Sequence, residues 1–380
     1  MDRKSPWAPA PQQHRQTVFA LHPGRAALGL MAMMLAVCLF LAGCIPSPPP
    51  NAPASSEAAA APDKKPKQVH GGFLFGVGSQ AYGALDKTIV KEAPVNMITS
   101  WYNFRSDMSF FDKFRTSVTP QIYAAGKAMH LVIWDGYTLD TSGPKGWPDA
   151  EMVKTKYGPV CGASYPLSRE FQADMVRLAM NTGGPADGPP LYVSMFTEFQ
   201  TYPCHEDGNY WDTGQNYYKA LKDAYREAKD TFHKYAPNSK VALTWGGWAA
   251  TFDDPSRGGG RSMLPFFRDV MDESDFQSFQ AMGNSENVDQ STWMVKALHN
   301  YGNGFSLLAH YKPDNNSLDV YDADMAGFFT DAKMAELKVN GLFGFSFMEQ
   351  DMLMSSQSRY QQAKAAITKY QVPAPPWPLT

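Results

Sequence analysis

The chain has 380 residues, of which 44% are hydrophobic and 19% charged, so it is long enough to bury one large core or two modest ones. Its 34 Lys and Arg stand against 37 Asp and Glu, a formal net charge of −3. That balance leaves no basic excess to neutralise phosphates, and the one short basic run is Lys64-Lys65-Pro66-Lys67, which excludes nucleic acid as an expected partner.

The N-terminal stretch is basic at Arg3, Lys4, Arg15 and Arg25, and the run from Ala26 to Ala42 carries no charge. These are the n-region and h-region of an export signal. The run closes on Leu41-Ala42-Gly43-Cys44, which resembles the lipobox of bacterial lipoproteins. The resemblance implies cleavage before Cys44, acylation of that cysteine and attachment of an exported protein to a lipid membrane. Residues 1–43 then form the signal peptide. Ile45 is not the Asp that resembles an inner-membrane retention signal, so a Gram-negative cell would carry the protein on its outer membrane. A plain transmembrane anchor is the alternative, but the apolar run sits at the lower limit for spanning a bilayer and ends in small rather than basic residues. Residues 44–70, rich in Pro, Ala and Ser, bury too little to order themselves and read as a tether.

From Gly71 onward, short apolar runs alternate with longer stretches of helical period, the pattern of a parallel sheet with crossover helices. Eight runs read as strands, beginning at Phe73, Asn96, His130, Leu191, Val241, Phe276, Phe305 and Leu342. Between the fourth and fifth, Tyr217, Tyr218, Leu221, Ala224, Tyr225, Ala228, Phe232 and Tyr235 recur at helical spacing ahead of Pro237. Similar stretches cover Phe171 to Met180, Leu264 to Met271, Trp293 to Leu298, Met325 to Leu337 and Tyr360 to Tyr370. Eight such units over residues 71–380 predict an α/β fold, a single (β/α)8 TIM barrel. A doubly wound open sheet is the rival, but Gly76 and Gly78 do not complete the phosphate-binding fingerprint it often carries. Cys38 leaves with the signal and Cys44 takes lipid. That leaves Cys161 and Cys204, both after barrel strands at one end, where export permits a disulfide.

In such a barrel the chemistry belongs at the C-terminal ends of the strands. There the chain offers Trp134-Asp135-Gly136-Tyr137, Thr197-Glu198-Phe199-Gln200, Trp245-Gly246-Gly247-Trp248, Met282-Gly283-Asn284-Ser285-Glu286, His310-Tyr311-Lys312 and Glu349-Gln350-Asp351. Carboxylates, amides and aromatics are the groups a sugar site needs, and glycoside hydrolysis usually requires two carboxyls. Glu198 is the foremost candidate as general acid/base. Glu349 or Asp135 would be its partner, with Asp351 and Glu286 behind them. Trp134, Tyr137, Gln200, Trp245, Trp248, Asn284, His310 and Tyr311 are the candidate substrate-binding residues. No spacing of His or Cys predicts a metal site, no motif calls for a cofactor, and a monomer is expected.

The stretch from Leu191 to Trp248 resembles glycoside hydrolase family 26. It has a carboxylate closing the fourth strand, a loop with Tyr202, Asn209, Tyr210 and Trp211, an aromatic helix and a strand ending in Trp. That family belongs to a clan of retaining (β/α)8 enzymes that includes β-mannanases, and Glu198 matches the clan's acid/base glutamate. Thr197 stands where Asn or His usually precedes it. His310, Tyr311 and Lys312 stand where the clan places its nucleophile glutamate. Three readings are open. The partner carboxylate comes from another strand; Tyr311 or the substrate itself supplies the nucleophile; or the domain binds glycans without cutting them. The expected function is hydrolysis of an extracellular or envelope polysaccharide by a tethered, endo-acting glycosidase.

Overall fold

The structure is a computed structural model that describes residues 72–78, 80–134, 150–204, 216–249 and 263–372. The expected signal, tether and lipidated Cys44, together with Asp135 and Tyr137, lie outside the described residues. Among the described residues there are ten strands: β1 Leu74–Val77, β2 Met97–Tyr102, β3 Ala128–Ile133, β4 Ala150–Thr155, β5 Gly158–Ala163, β6 Leu191–Met195, β7 Ser239–Trp245, β8 Gln277–Ala281, β9 Ser306–Tyr311 and β10 Leu342–Phe347. Eight close into a barrel in the order β1-β10-β9-β8-β7-β6-β3-β2, and every neighbouring pair is parallel. The fold is therefore a (β/α)8 barrel. The remaining two strands form an antiparallel hairpin between the third barrel strand and its helix. That hairpin is not among the elements expected from the sequence.

The connecting helices begin where a hydroxyl can satisfy an otherwise orphaned amide. Ser168 accepts from Phe171 N to open Arg169–Thr182, and Ser317 from Val320 N to open Leu318–Phe328. The helix Asn216–Tyr235 buries Tyr217, Tyr218, Leu221, Ala224, Tyr225, Ala228 and Phe232, one continuous stripe laid on the barrel wall.

Alternation along the strands sends one set of side chains outward under the helices and the other into the barrel. The inward set is layered. Near the strand starts, Leu74, Met97, Tyr192, Phe276, Leu307 and Phe343 pack together as an apolar plug. In it the rings of Tyr192, Phe276 and Phe343 lie 5.5 to 5.8 Å apart. The middle layer is polar. Thr99 Oγ1 lies 2.8 Å from Ser346 Oγ and 3.1 Å from His130 Nδ1, while Ser194 Oγ lies 2.8 Å from both His130 Nε2 and Ser278 Oγ. Burial pushes the His130 imidazole down to about 3, so it is neutral at ordinary pH and serves as a hydrogen-bonded spacer. Bulky branched residues usually fill such a layer. Here small hydroxyls do, and the functional layer lies above them.

Candidate active site

Glu198 closes the fourth barrel strand in an unusual backbone conformation. Phe196 and Glu198 both have positive φ, 57° and 58°, a region that non-glycine residues seldom enter. Several contacts hold this double reversal. The Phe196 ring stacks on Phe171 at 5.1 Å, Thr197 N donates to Ile133 O at 2.9 Å, and the Tyr202 hydroxyl donates to Thr197 O at 3.0 Å. The backbone N and the hydroxyl of Thr201 both donate to Glu198 O at 2.8 Å. Phe199 anchors the next residue between Trp245 and Phe267, at 4.8 and 4.9 Å. The sequence thus fixes the backbone on either side of Glu198 with large buried rings.

The β4–β5 hairpin braces the same segment. Cys161 and Cys204 are joined by a disulfide, Cys204 N donates to Cys161 O and Ala163 N to Tyr202 O. The Tyr217 hydroxyl donates to Ala163 O at 2.7 Å. Gly162 is required in this corner because a Cβ there would lie 2.5 Å from the Tyr217 ring and 2.8 Å from Tyr202 O.

The Glu198 side chain is largely buried, and its carboxyl engages β8, the sixth strand of the barrel. Gln280 Nε2 donates to Glu198 Oε1 at 2.5 Å, while Gln280 Oε1 accepts from His310 Nε2 at 2.6 Å and from Thr197 Oγ1 at 3.3 Å. The Trp101 ring meets the His310 ring edge-on at 4.4 Å. Burial pushes the Glu198 carboxyl above the usual glutamate range, the Gln280 donor pulls it partly back, and the Asp314 charge raises it further. Burial also drives His310 well below the usual histidine range, and the Lys312 ammonium acts in the same direction.

His310 reaches this network through a register shift. Phe279 is level with Leu308 and Gln280 with His310, so Ala309 is an extra residue in β9. Strict alternation from the inward Leu307 would have aimed Tyr311 into the barrel. The bulge turns His310 inward instead and sends Tyr311 out, a common use of bulges beside functional sites.

Four residues proposed from sequence are therefore corrected. Tyr311 is fully buried on the outer side, ringed by Tyr321, Phe328 and Phe345, with its hydroxyl donating to Asp324 at 3.0 Å. It is neither a sugar contact nor a nucleophile. Trp245 is also fully buried, against Phe199 and Phe267, so it is core and not a stacking platform. Gln200 is buried and its Oε1 accepts from Gly246 N, which makes it a brace between two strand ends. Asp351 is a surface residue paired with Lys87 at 3.7 Å.

The other candidates are at or near the mouth. Trp134 directly succeeds β3 and is partly exposed, as is Trp248, whose ring lies over Gly246. Asn284 is exposed and accepts from Asn315 N at 2.8 Å, tying the loops after β8 and β9 together. Glu286 is exposed at the start of the helix Asn287–Leu298. Glu349 pairs with the buried Lys312 at 3.3 Å and keeps 41% side-chain exposure. Two further residues of the site are absent from the sequence-derived candidates. Gln280 is the last inward residue of its strand, a position that alternation marks. Asp314 lies exposed in the loop after β9, and its charge bears on Glu198. Among the described residues no group of three or more His, Cys, Asp or Glu could hold a metal ion.

No protein-family profile matches the sequence, and no curated protein matches it significantly. Solved structures do match, 105 chains in all. GH26C from Muricauda sp. is 11% identical over 73% of this chain and 79% of that one, with a TM-score of 0.42. A psychrophilic glycoside hydrolase family 10 endo-β-1,4-xylanase is 13% identical over 73% and 86%, with a TM-score of 0.45. The endo-1,4-β-mannanase of Eisenia fetida is 10% identical over 80% and 92%, with a TM-score of 0.44. At such identities the roles of individual residues rest on this chain's own geometry.

Proposed function

We propose that the protein is a glycoside hydrolase acting on a polysaccharide, with Glu198 as its general acid/base. The observation that carries this reading is the state of Glu198, a carboxyl at the C-terminal mouth of a (β/α)8 barrel, set by a strained backbone and kept protonated to higher pH by burial. A general acid must hold its proton near working pH and present it to a leaving oxygen, and an apolar surrounding is how a carboxyl achieves this. The neighbouring structures bearing xylanase and mannanase names are in keeping with an endo-acting glycanase. Glu349 and Asp135 remain the sequence-derived partners, and Asp314 joins them because its charge reaches Glu198. Attachment to the cell envelope through acylated Cys44 completes the reading and rests on the lipobox-like Leu41-Ala42-Gly43-Cys44.

The test is reducing-sugar release from mannans, xylans, glucans and bacterial exopolysaccharides by the full chain beside Glu198→Gln, Glu349→Gln, Asp135→Asn and Asp314→Asn. Release that falls by about 10²-fold or more in Glu198→Gln and in one partner variant supports the reading. Glycan binding without release by the unaltered protein would replace it with a non-catalytic glycan-binding role. Incorporation of labelled palmitate that disappears in Cys44→Ser tests the anchor.

A further inference from the structure

Glu198 has two carboxyl oxygens, and the buried network treats them differently. Oε1 accepts from Gln280 Nε2, while no hydrogen bond of Oε2 is seen among the described residues. A side-chain amide can in principle sit either way round, with its NH2 or its oxygen toward Glu198. The tautomer of His310 settles the choice here, since the Thr197 hydroxyl can donate to or accept from the amide. With its proton on Nε2, His310 donates to Gln280 Oε1, and the NH2 is left to face the carboxylate. The reversed amide would need His310 Nε2 to accept, which moves the imidazole proton to Nδ1. That nitrogen is wholly buried and has no partner among the described residues, so the reversal would orphan a buried N–H. Hydrogen-bond polarity therefore runs one way, from His310 through Gln280 to Glu198.

We infer that Gln280, locked in one orientation by His310, is a positioning residue that makes Oε2 the oxygen of Glu198 carrying the transferable proton. This rests on reading Glu198 as a general acid. The amide also offsets part of the burial that favours the protonated carboxyl. The groups facing this network are Asp314 from the loop after β9, whose charge raises Glu198, Lys312, whose charge acts on His310, and His130 in the layer below, which is uncharged at ordinary pH. None of these is altered by a substitution at Gln280.

The experiment is an infrared pH titration of the full chain, taken as the difference between each protein and its Glu198→Gln counterpart, so that the protonated Glu198 carboxyl is read with or without activity. Gln280→Met keeps the length and removes the donor. The carboxyl midpoint is expected to rise by about one pH unit, the size set by losing one hydrogen bond to a charged group. His310→Leu frees the amide to turn and should raise the midpoint by less, whereas His310→Gln retains a donor at the same reach and should restore it. Coincident midpoints in Gln280→Met and the unaltered protein, or a His310→Gln that shifts as far as His310→Leu, would overturn the inference. If His310→Leu fails to fold, the other two variants still decide. Where a glycan is cleaved, the alkaline limb of kcat/KM should move with the infrared midpoint. An infrared shift in a protein that cleaves none of the glycans would sink the glycosidase reading alone and leave the arrangement standing.

Discussion

The two ends of the barrel interior are built on opposite terms. At the strand starts, Leu74, Met97, Phe276, Leu307 and Phe343 fill the space with apolar surface. At the strand ends the same eight strands present a carboxyl, an amide, an imidazole and an ion pair, set by two residues of positive φ and one bulge. Between them the hydroxyls around His130 insulate one from the other. Substitutions at the two ends therefore act on different properties: the lower end carries stability, and the upper end spends some of it to hold groups in states that water would not favour.

Activity should separate the two ends most widely. Glu198→Gln should lower glycan cleavage by about 10² to 10⁴-fold, measured as initial rates on the best substrate of the panel, while its thermal unfolding stays at or above that of the parent. Phe343→Ala should do the reverse, destabilising the fold by about 3 to 5 kcal/mol in denaturant titration through a cavity in the plug, with little change in the pH profile of the surviving enzyme. A Phe343→Ala protein as stable as the parent would break the claim that the plug is a packed core.

The disulfide joins the comparison from the side. It closes a separation of 43 residues, for which loop-closure entropy gives about 4 kcal/mol. Unlike the plug, it ends six residues past Glu198 and secures the hairpin whose Ala163 and Cys161 carbonyl and amide groups bond that loop. Replacing both cysteines by serine should therefore lower both the unfolding midpoint and the cleavage rate, and reduction of the parent should reproduce both losses. Loss of stability without loss of rate would confine the bridge to the lower end's role.

How far this division is legible in the sequence depends on periodicity. The barrel strands are legible because helices cover them outside and the plug fills them inside, so they read as apolar runs; β10 coincides with the expected Leu342 to Phe347. The hairpin is hidden because Glu151-Met152-Val153-Lys154-Thr155 alternates weakly and Met152 is exposed. Trp245 shows a misread parity. Ala242 belongs to the inner plug, so alternation sends Thr244 inward and Trp245 outward. Tyr311 is a different matter, since the extra residue at Ala309 reverses parity and nothing in Ser306-Leu307-Leu308-Ala309-His310-Tyr311 announces it. Gln280 escapes a reading confined to the residues beyond each strand, because it belongs to the strand itself as its last inward side chain.

The pH dependence of stability measures most directly what the upper end gives up. Glu198 titrates above the usual glutamate value of 4.5 in the folded protein, because burial and the Asp314 charge outweigh the Gln280 donor. Between 4.5 and that raised value the folded state holds a proton that the unfolded chain has released, so stability falls as pH rises through this window. Below 4.5 both states are protonated and the stabilising contribution is fully present. Glu198→Gln removes the ionisation while keeping an oxygen for the Gln280 amide. Compared by unfolding at a series of pH values, the variant and parent should differ least in acid. The variant should be the more stable of the two, with the higher Tm, once the pH exceeds the raised value. A difference that stays flat with pH would mean that Glu198 is as well solvated as a surface glutamate, and the contrast between the two ends of the barrel would lose its electrostatic half.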